Sequence, residues 1–182
     1  TVKREGVDIV FAIDVSKSML AEDVAPNRLE KAKRIAFETI NQLKGDRVGI
    51  VAYAASAYPQ LALTTDHSAA KMFLQSMNTN MLSSQGTAIQ EAIRMATNYF
   101  DDKSTTSRLL FIISDGEDHE MGATEIAAEA QEKGIHIYTI GVGTEKGSPI
   151  PMRELGEQSY KRDRNGEVVI TRLNKELLQQ IA

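Results

Sequence analysis

The 182-residue sequence predicts an α/β fold: a doubly wound, mostly parallel central sheet with one antiparallel edge strand and helices on both faces. Apolar runs of strand length alternate along the chain with segments whose apolar residues recur at helical spacing. Several of these runs are continuously apolar, which is typical of strands that are buried on both faces of a parallel sheet. Two adjacent strands are joined only by an Ala-Ala-Ser connection, and we expect that pair to be antiparallel.

The elements follow from these patterns in order. The first strand is the run 7–13, and Asn27 with Glu30 three residues later predicts a helix start. That helix continues to Gly45, where its apolar periodicity stops. The remaining predicted elements are the antiparallel strands 48–53 and 57–63, helices near 68–77 and 87–100, strand 109–113, helix 125–133, strand 135–140, a glycine-rich loop at 141–151, a small strand 167–171 after an Asn-Gly turn, and a final helix 174–182.

The amino-acid composition argues against several classes of partner and site. The chain has 42% hydrophobic and 25% charged residues, which is ordinary for a globular domain. Its 21 basic and 25 acidic residues give a net charge of −4 without a basic block, so we expect no nucleic-acid partner. The absence of cysteine excludes disulfides and thiolate metal sites. Because the chain begins at Thr1 and stops in a predicted helix, we expect a single domain, residues 1–182, excised from a longer protein.

Oxygen-bearing side chains stand where predicted strands end. An Asp and two Ser residues follow the first apolar run at two-residue spacing, a Thr opens the helix 87–100, and a second Asp follows the run 109–113. The carboxyl ends of neighbouring parallel strands meet at one edge of a doubly wound sheet, where ligands bind. Hard oxygen groups of this kind are the ligands that Mg²⁺ takes. The predicted metal site consists of Asp14, Ser16, Ser18, Thr87 and Asp115.

Each piece alone also has an ordinary structural explanation. Asp and Ser side chains satisfy loop amides and cap helices, a Thr often starts a helix, and Asp-Gly is a common turn pair. It is their joint position at strand ends that favours the metal site over these alternatives.

The three separated strings resemble a known motif. Ile-Asp-Val-Ser-Lys-Ser, Gly-Thr and Ile-Ser-Asp-Gly-Glu match the metal-ion-dependent adhesion site of von Willebrand factor A domains, with all five positions present over about residues 6–143. The string Ser-Met-Leu-Ala-Glu-Asp-Val-Ala-Pro-Asn-Arg-Leu at 18–29, the string Asp-Gly-Glu-Asp-His-Glu at 115–120, and the C-terminal segment with Asp163-Arg164-Asn165-Gly166 also resemble the bacterial Bat (Bacteroides aerotolerance) proteins.

This resemblance implies roles for the five residues. Ser16 and Ser18 would hold a Mg²⁺ ion directly, with Mn²⁺ or Ca²⁺ as alternatives. Thr87 would bind directly or through water, and Asp14 and Asp115 would act mostly through water and fix the serines. The neutral hydroxyls would leave the ion's charge incompletely countered, so that an Asp or Glu of a protein partner could complete its coordination.

The resemblance also implies a biological setting. The domain would be a non-enzymatic interaction module of a membrane-anchored protein linked to oxygen and oxidative-stress tolerance, and its partners could include other Bat-like proteins. It would lie in the periplasm, at the cell inner membrane.

Two other functions remain open from the residues alone. The first is a Mg²⁺-dependent phosphotransferase that uses Asp14 as its nucleophile, although Ser16 stands where such chemistry usually needs a second acid. The second is a structural scaffold that binds no metal.

Other candidate residues favour ordinary explanations. The acidic segment 117–120 is typical of a solvated loop, with a second cation site or a surface that steers a charged partner as the alternatives. His136 is predicted to be an ordinary strand residue and His67 to lie in a loop or at a helix start, so neither indicates a zinc site. Gly141 and Gly143 lack the spacing of a nucleotide-binding loop.

Overall fold

The computed structural model describes residues 6–84, 86–101, 105–118, 121–154 and 156–182. A five-stranded sheet has the strand order β3-β2-β1-β4-β5, and all neighbouring pairs are parallel except β2 with β3. The predicted mostly parallel sheet with an antiparallel edge strand is therefore confirmed. Its strands are β1 Val7–Asp14, β2 Arg47–Tyr53, β3 Ala57–Thr64, β4 Ser107–Ser114 and β5 Ile135–Gly141.

Helices cover both faces of this sheet. They are α1 Arg28–Gln42, α2 His67–Ser76, α3 Ile89–Thr97, α4 Ala123–Glu132 and α5 Lys175–Ile181. Along β1, Phe11 and Ile13 pack with residues of α1 and α2, whereas Val10 and Ala12 pack with residues of α3 and α4. Because successive strand residues point to opposite faces, both faces of β1 are in the core, which explains its continuous apolar run.

Capping interactions account for the helix starts that the sequence predicts correctly. The Asn27 side chain accepts a hydrogen bond from the Glu30 amide at 2.8 Å, and Asn174 caps α5 in the same way through the Leu177 amide. The Glu30 carboxylate does not complete a reciprocal capping box, because it pairs with Lys33 at 3.0 Å.

Helix α3 is shorter than the predicted helix 87–100. It begins at Ile89 because the amide of Ala88 donates to Ala54 O at 2.7 Å, which ties this segment to the β2–β3 connection. The α-helix ends at Thr97, and the amides of Tyr99 and Phe100 donate to carbonyls only three residues back, as in a 3-10 turn.

The C-terminal segment carries more strand structure than the sequence predicts. The strands β6 Ser148–Pro149 and β9 Ile170–Thr171 pair with each other, and β7 Pro151–Glu154 pairs with β8 Glu157–Tyr160. The predicted loop 141–151 was therefore only partly correct, and the predicted strand 167–171 is reduced to Ile170–Thr171 with a separate bridge between Arg162 and Val168. The Asn-Gly turn is present, with Gly166 at φ 81°.

Within the described ranges, no helix combines the length and apolar character that crossing a bilayer requires.

Candidate functional site

The strand order brings two aspartates together. Strand β1 lies between β2 and β4, so the chain leaves β1 toward one side of the sheet and later returns on the other, a topological switch point. Asp14 is the last residue of β1, and Asp115 directly follows the last residue of β4. Ile13 is paired with Ile113, which places the two carboxylates at the same edge, and both residues are fully buried.

Hydrogen bonds hold both oxygens of the Asp14 carboxylate. The Ser16 amide donates to Asp14 Oδ1 at 2.9 Å, and Ser114 Oγ donates to Asp14 Oδ2 at 2.7 Å. Ser114 in turn accepts from the Gly116 amide at 2.9 Å, which links the ends of β1 and β4. The sequence interpretation missed Ser114, although a hydroxyl between a buried strand and Asp115 was a usable signal.

A short turn brings the two predicted serines together. A 3-10 turn at Lys17–Leu20 follows β1, and the Ser16 and Ser18 hydroxyl oxygens lie 3.0 Å apart. The buried side chain of Met19 packs in the core beneath the turn. This anchor fixes the turn, and the serine hydroxyls consequently form one compact pair of oxygen donors.

Thr87 joins this pair from a different loop. It is buried, and it lines a cavity of about 160 Å³ together with Ser16 and Ser18. A backbone hydrogen bond from the Ala88 amide to Ala54 O, just after the end of β2, holds the segment that carries Thr87 in place. The structure thus brings Ser16, Ser18 and Thr87 to one cavity, with Asp14 and Asp115 buried beside it.

Burial makes the two carboxylates unusual acids. Burial, and then the charge of Asp115, raise the pKa of Asp14 from 3.8 to about 7, against the hydrogen bonds from Ser16 and Ser114. Burial also raises the pKa of Asp115, although the nearby Ser18 hydroxyl, the Glu117 amide and Arg28 oppose this rise. Two anions in a dry site repel each other, so a cation near them would be stabilising.

A buried arginine supplies part of that positive charge. Arg28, at the start of α1, is fully buried and donates from Nη1 to Asp115 Oδ2 at 3.0 Å. It also forms a forked pair with Asp23, at 2.8 and 2.7 Å, and it donates to Thr171 Oγ1 and Thr171 O at 2.9 and 3.0 Å. The sequence interpretation missed this role, and its only signal was the position of Arg28 in the string that resembles Bat proteins.

The acidic segment after Asp115 differs from the predicted solvated loop. Glu117 is half-buried, and its Oε1 accepts a hydrogen bond from Thr171 Oγ1 at 2.6 Å. Asp118 is also half-buried, while residues 119 and 120 lie outside the described residues. In the described part of the chain no group of three or more His, Cys, Asp and Glu residues is arranged to hold a metal ion. A cation at this edge would therefore depend on the hydroxyl oxygens.

The histidines and the loop glycines behave as expected. His136 is an exposed residue within β5, and His67 is the first residue of α2, with Nε2 2.8 Å from Asp46 O. Gly141 ends β5, and Gly143 follows it with a positive φ of 119°.

Residues 9–117 match the family model of the von Willebrand factor type A domain. The chain belongs to this family. Domains of the von Willebrand factor A type are generally protein-interaction modules, and they can bind a metal at their adhesion motif.

Solved structures show which members of this family the chain resembles. The chain is similar to BatB from Bacteroides thetaiotaomicron, with 47% identity, coverage of 97% of this chain and 85% of that one, and a TM-score of 0.93. It is also similar to an aerotolerance-related membrane protein from Bacteroides fragilis, with 42% identity, coverage of 97% and 86%, and a TM-score of 0.92. The predicted resemblance of this A domain to Bat proteins is confirmed.

Curated relatives are longer than this chain. A protein designated UPF0353 from Mycolicibacterium vanbaalenii is 28% identical over 99% of this chain and 59% of its own length. The chain spans about half to three-fifths of the length of the first curated relatives that it matches.

Proposed function

We propose that this chain is the metal-dependent protein-interaction domain of a Bat-like membrane protein linked to oxygen and oxidative-stress tolerance, and that it is not an enzyme. The observation that carries this proposal is the convergence of five oxygen-bearing side chains from three loops at the switch point of the sheet. These residues are Asp14, Ser16, Ser18, Thr87 and Asp115, each buried.

The donor set fits a hard divalent cation. Two hydroxyl oxygens 3.0 Å apart, beside a third hydroxyl and two carboxylates, are the chemistry that Mg²⁺ takes, with Mn²⁺ or Ca²⁺ as alternatives. A fold neighbour from mussel byssus, 20% identical with a TM-score of 0.67, is described with zinc in this motif, so the test below compares several ions.

Each of the five residues would have a different role in holding the metal ion. Ser16 and Ser18 would hold the ion directly, and Thr87 would do so directly or through water. As the family resemblance implies, Asp14 would act on the ion mostly through water, and the hydrogen bond that it accepts from the Ser16 amide would orient that serine. Asp115 accepts from the Glu117 amide and from Arg28, so it would act in the same indirect way.

A site of this kind would recognise a partner's carboxylate. Bound metal supplies a divalent charge that neutral hydroxyls counter only in part, and an Asp or Glu from outside can complete its coordination. Attraction between carboxylate and cation strengthens greatly when the contact excludes water. The partner would be a protein that presents such a residue, and other Bat-like proteins are candidates.

A Bacteroides fragilis relative at 42% identity is described as an aerotolerance-related membrane protein, which supports membrane association of the whole protein. From the resemblance to Bat proteins we further propose that it is anchored in the cell inner membrane, with this domain in the periplasm. Residues 1–182 would form one domain of that longer protein.

The site geometry speaks against the phosphotransferase alternative. A nucleophilic Asp14 would need to reach a phosphoryl group, but Asp14 is fully buried and is not among the residues that line the cavity. Ser16 also stands where an acid would protonate the leaving group. Phosphatase activity against a broad ester panel that Asp14→Asn abolishes would restore that alternative.

A matched pair of serine variants tests metal binding. Ser16 and Ser18 contact each other at 3.0 Å in the site, and Ser56 and Ser84 form an exposed pair at the same 3.0 Å distance. Saturating Mg²⁺ should raise the melting temperature of the wild type and of Ser56→Ala, but not that of Ser16→Ala. Mn²⁺, Ca²⁺ and Zn²⁺ are compared in the same assay. Equal behaviour of the two variants, or no shift in the wild type with any ion, would refute the metal site.

A second measurement separates the interaction module from a metal-independent scaffold. The domain is used as bait in a bacterial membrane extract, with Mg²⁺ or with a chelator, for the wild type and for Asp14→Ala. Proteins that bind only with Mg²⁺ and only to the wild type are expected. Partners that survive both chelation and Asp14→Ala would instead support the scaffold.

A further inference from the structure

A second cavity adjoins the candidate metal site. It has a volume of about 310 Å³ and lies between the Lys17–Leu20 turn, residues 79–80 and strand β7. We name it the rim groove and define it by Lys17, Glu22, Thr79, Asn80, Met152 and Arg153. Lys17 lines both this groove and the cavity that holds Ser16, Ser18 and Thr87, so the two cavities adjoin at that residue.

Cationic side chains surround the two cavities. Lys17 Nζ lies near the neutral oxygens of Thr79 and Asn80, so these contacts leave its charge uncompensated. Arg153 is 81% exposed and is only loosely paired with Glu22, at 3.6 Å. Lys161 lines the cavity above the site, where its backbone is held by bonds to Ile150 and Val169.

The lining of the two cavities has a small excess of positive charge, in contrast with the net charge of −4 of the whole chain. Three cations, Lys17, Arg153 and Lys161, line them against two acids, Glu22 and Glu117, and a divalent ion would add further positive charge. A local positive excess on an acidic protein favours partners of complementary charge.

We propose that the rim groove is a second recognition site, and that the partner is an extended protein segment with two acidic side chains. The inference rests on the proposed function: one carboxylate completes the coordination of the metal near Lys161, and the other enters the rim groove between Lys17 and Arg153. Residues of β7 line this groove, and Ile150, Lys161 and Val169, which directly flank β7, β8 and β9, line the cavity above the site.

The size of the cavities sets the spacing of the two acids. Taken as touching spheres of about 160 and 310 Å³, the two cavities have centres roughly 8 Å apart, which extended chain at about 3.3 Å per residue spans in two to three residues. The partner segment should therefore carry its second acid two or three residues from the first.

A displayed library of random linear peptides tests this inference. Peptides are selected on the wild-type domain in Mg²⁺ and eluted with a chelator. We expect the enriched sequences to share one Asp or Glu and a second acidic residue two or three positions away. Replacing the second acid by its amide should weaken binding to the wild type about fivefold at low salt.

Matched arginine variants assign that loss to the groove. Arg153 and Arg34 are both exposed and each forms a surface ion pair, Arg153 with Glu22 and Arg34 with Glu38. Arg153→Gln combined with Lys17→Gln should bind the doubly acidic peptide and its amide analogue equally, whereas Arg34→Gln should still distinguish them about fivefold.

The other outcomes are separable. Enriched peptides with one acid and no second preference would overturn the rim groove and leave the metal-dependent function intact. Absence of any Mg²⁺-dependent enrichment would overturn both. A Mg²⁺-dependent dimer in sedimentation, lost in the Lys17→Gln/Arg153→Gln variant, would assign the groove to a second copy of this chain and overturn the acidic-segment partner.

Discussion

Arg28→Met tests whether the buried guanidinium of Arg28 stabilises the buried carboxylate of Asp115 at the switch point of the sheet. The substitution keeps an unbranched side chain and a similar helix propensity, but it removes the guanidinium that joins Asp115, Asp23 and Thr171. The side chains of Arg28 and Asp115 are both 0% exposed, so water cannot replace the lost contacts without rearrangement. Asp115 would be left as an uncompensated buried anion.

The expected cost can be bounded in two ways. Removing one partner of a buried ion pair typically destabilises a protein by about 3–5 kcal/mol. Asp115 can limit this loss by taking up a proton. For a carboxyl with an ordinary pKa of 3.8, protonation at pH 7 costs about 4 kcal/mol. We therefore expect a loss of about 3–4 kcal/mol in unfolding free energy at pH 7, which is roughly 10 °C in melting temperature for a domain of this size.

Urea denaturation in the presence of a chelator measures this loss. The control is Arg34→Met on the same helix, because Arg34 is 74% exposed and its pair with Glu38 contributes only about 0.3–0.5 kcal/mol. Since protonation relieves the unpaired Asp115, the cost of Arg28→Met should shrink as the pH falls below neutral, by at most about 1.4 kcal/mol for each pH unit, because burial raises the pKa of Asp115 in the wild type as well. An Arg28→Met protein as stable as Arg34→Met, or a cost that does not change with pH, would show that the buried network does not have this role.

Two further predictions concern acid–base behaviour and packing. Without metal, stability should fall as the pH rises from about 4 to 7, because burial and Asp115 raise the pKa of Asp14 to about 7 and the folded state retains a proton that the unfolded state has lost. Saturating Mg²⁺ should flatten this slope in urea titrations at several pH values, and a flat profile with chelator alone would contradict the prediction. Gly49→Ala should cost about 1–3 kcal/mol, because its Cβ would lie 2.8 Å from Tyr99 Cδ2 and 3.3 Å from Leu61 O. Gly6→Ala, whose Cβ would have no neighbour closer than 4.0 Å, is the near-neutral control in the same denaturation assay, and equal costs would refute the packing explanation.

Much of the fold was predictable because the burial of the core strands is visible in the apolar pattern of their own residues. The runs in β1 and β4 are apolar on both faces because helices cover both sides, and that pattern is visible in one dimension. The caps of α1 and α5 are local too, since Asn27 and Asn174 each bond an amide three residues on. The start of α3 was not predictable, because a contact between Ala88 and the distant Ala54 decides it.

The C-terminal strands other than β9, which lies within the predicted strand 167–171, escaped prediction for a related reason. Their residues are mostly exposed, and β8 has no buried position, so no alternation of apolar and polar residues marks it. Their pairing depends on backbone bonds across the turns and on Thr171, which contacts Arg28 and Glu117 far away in the sequence.

The sequence by itself determined the alternating α/β architecture and the candidate site residues Asp14, Ser16, Ser18, Thr87 and Asp115, because periodicity, capping and motif spacing are local properties of the chain. Only the tertiary structure decided the partners of those residues: Ser114 on Asp14, Arg28 on Asp115, and the rim groove beside Lys17. Each of these contacts joins segments that lie far apart in sequence, and their position depends on how the strands are ordered and on how the C-terminal ribbon folds back over the sheet edge.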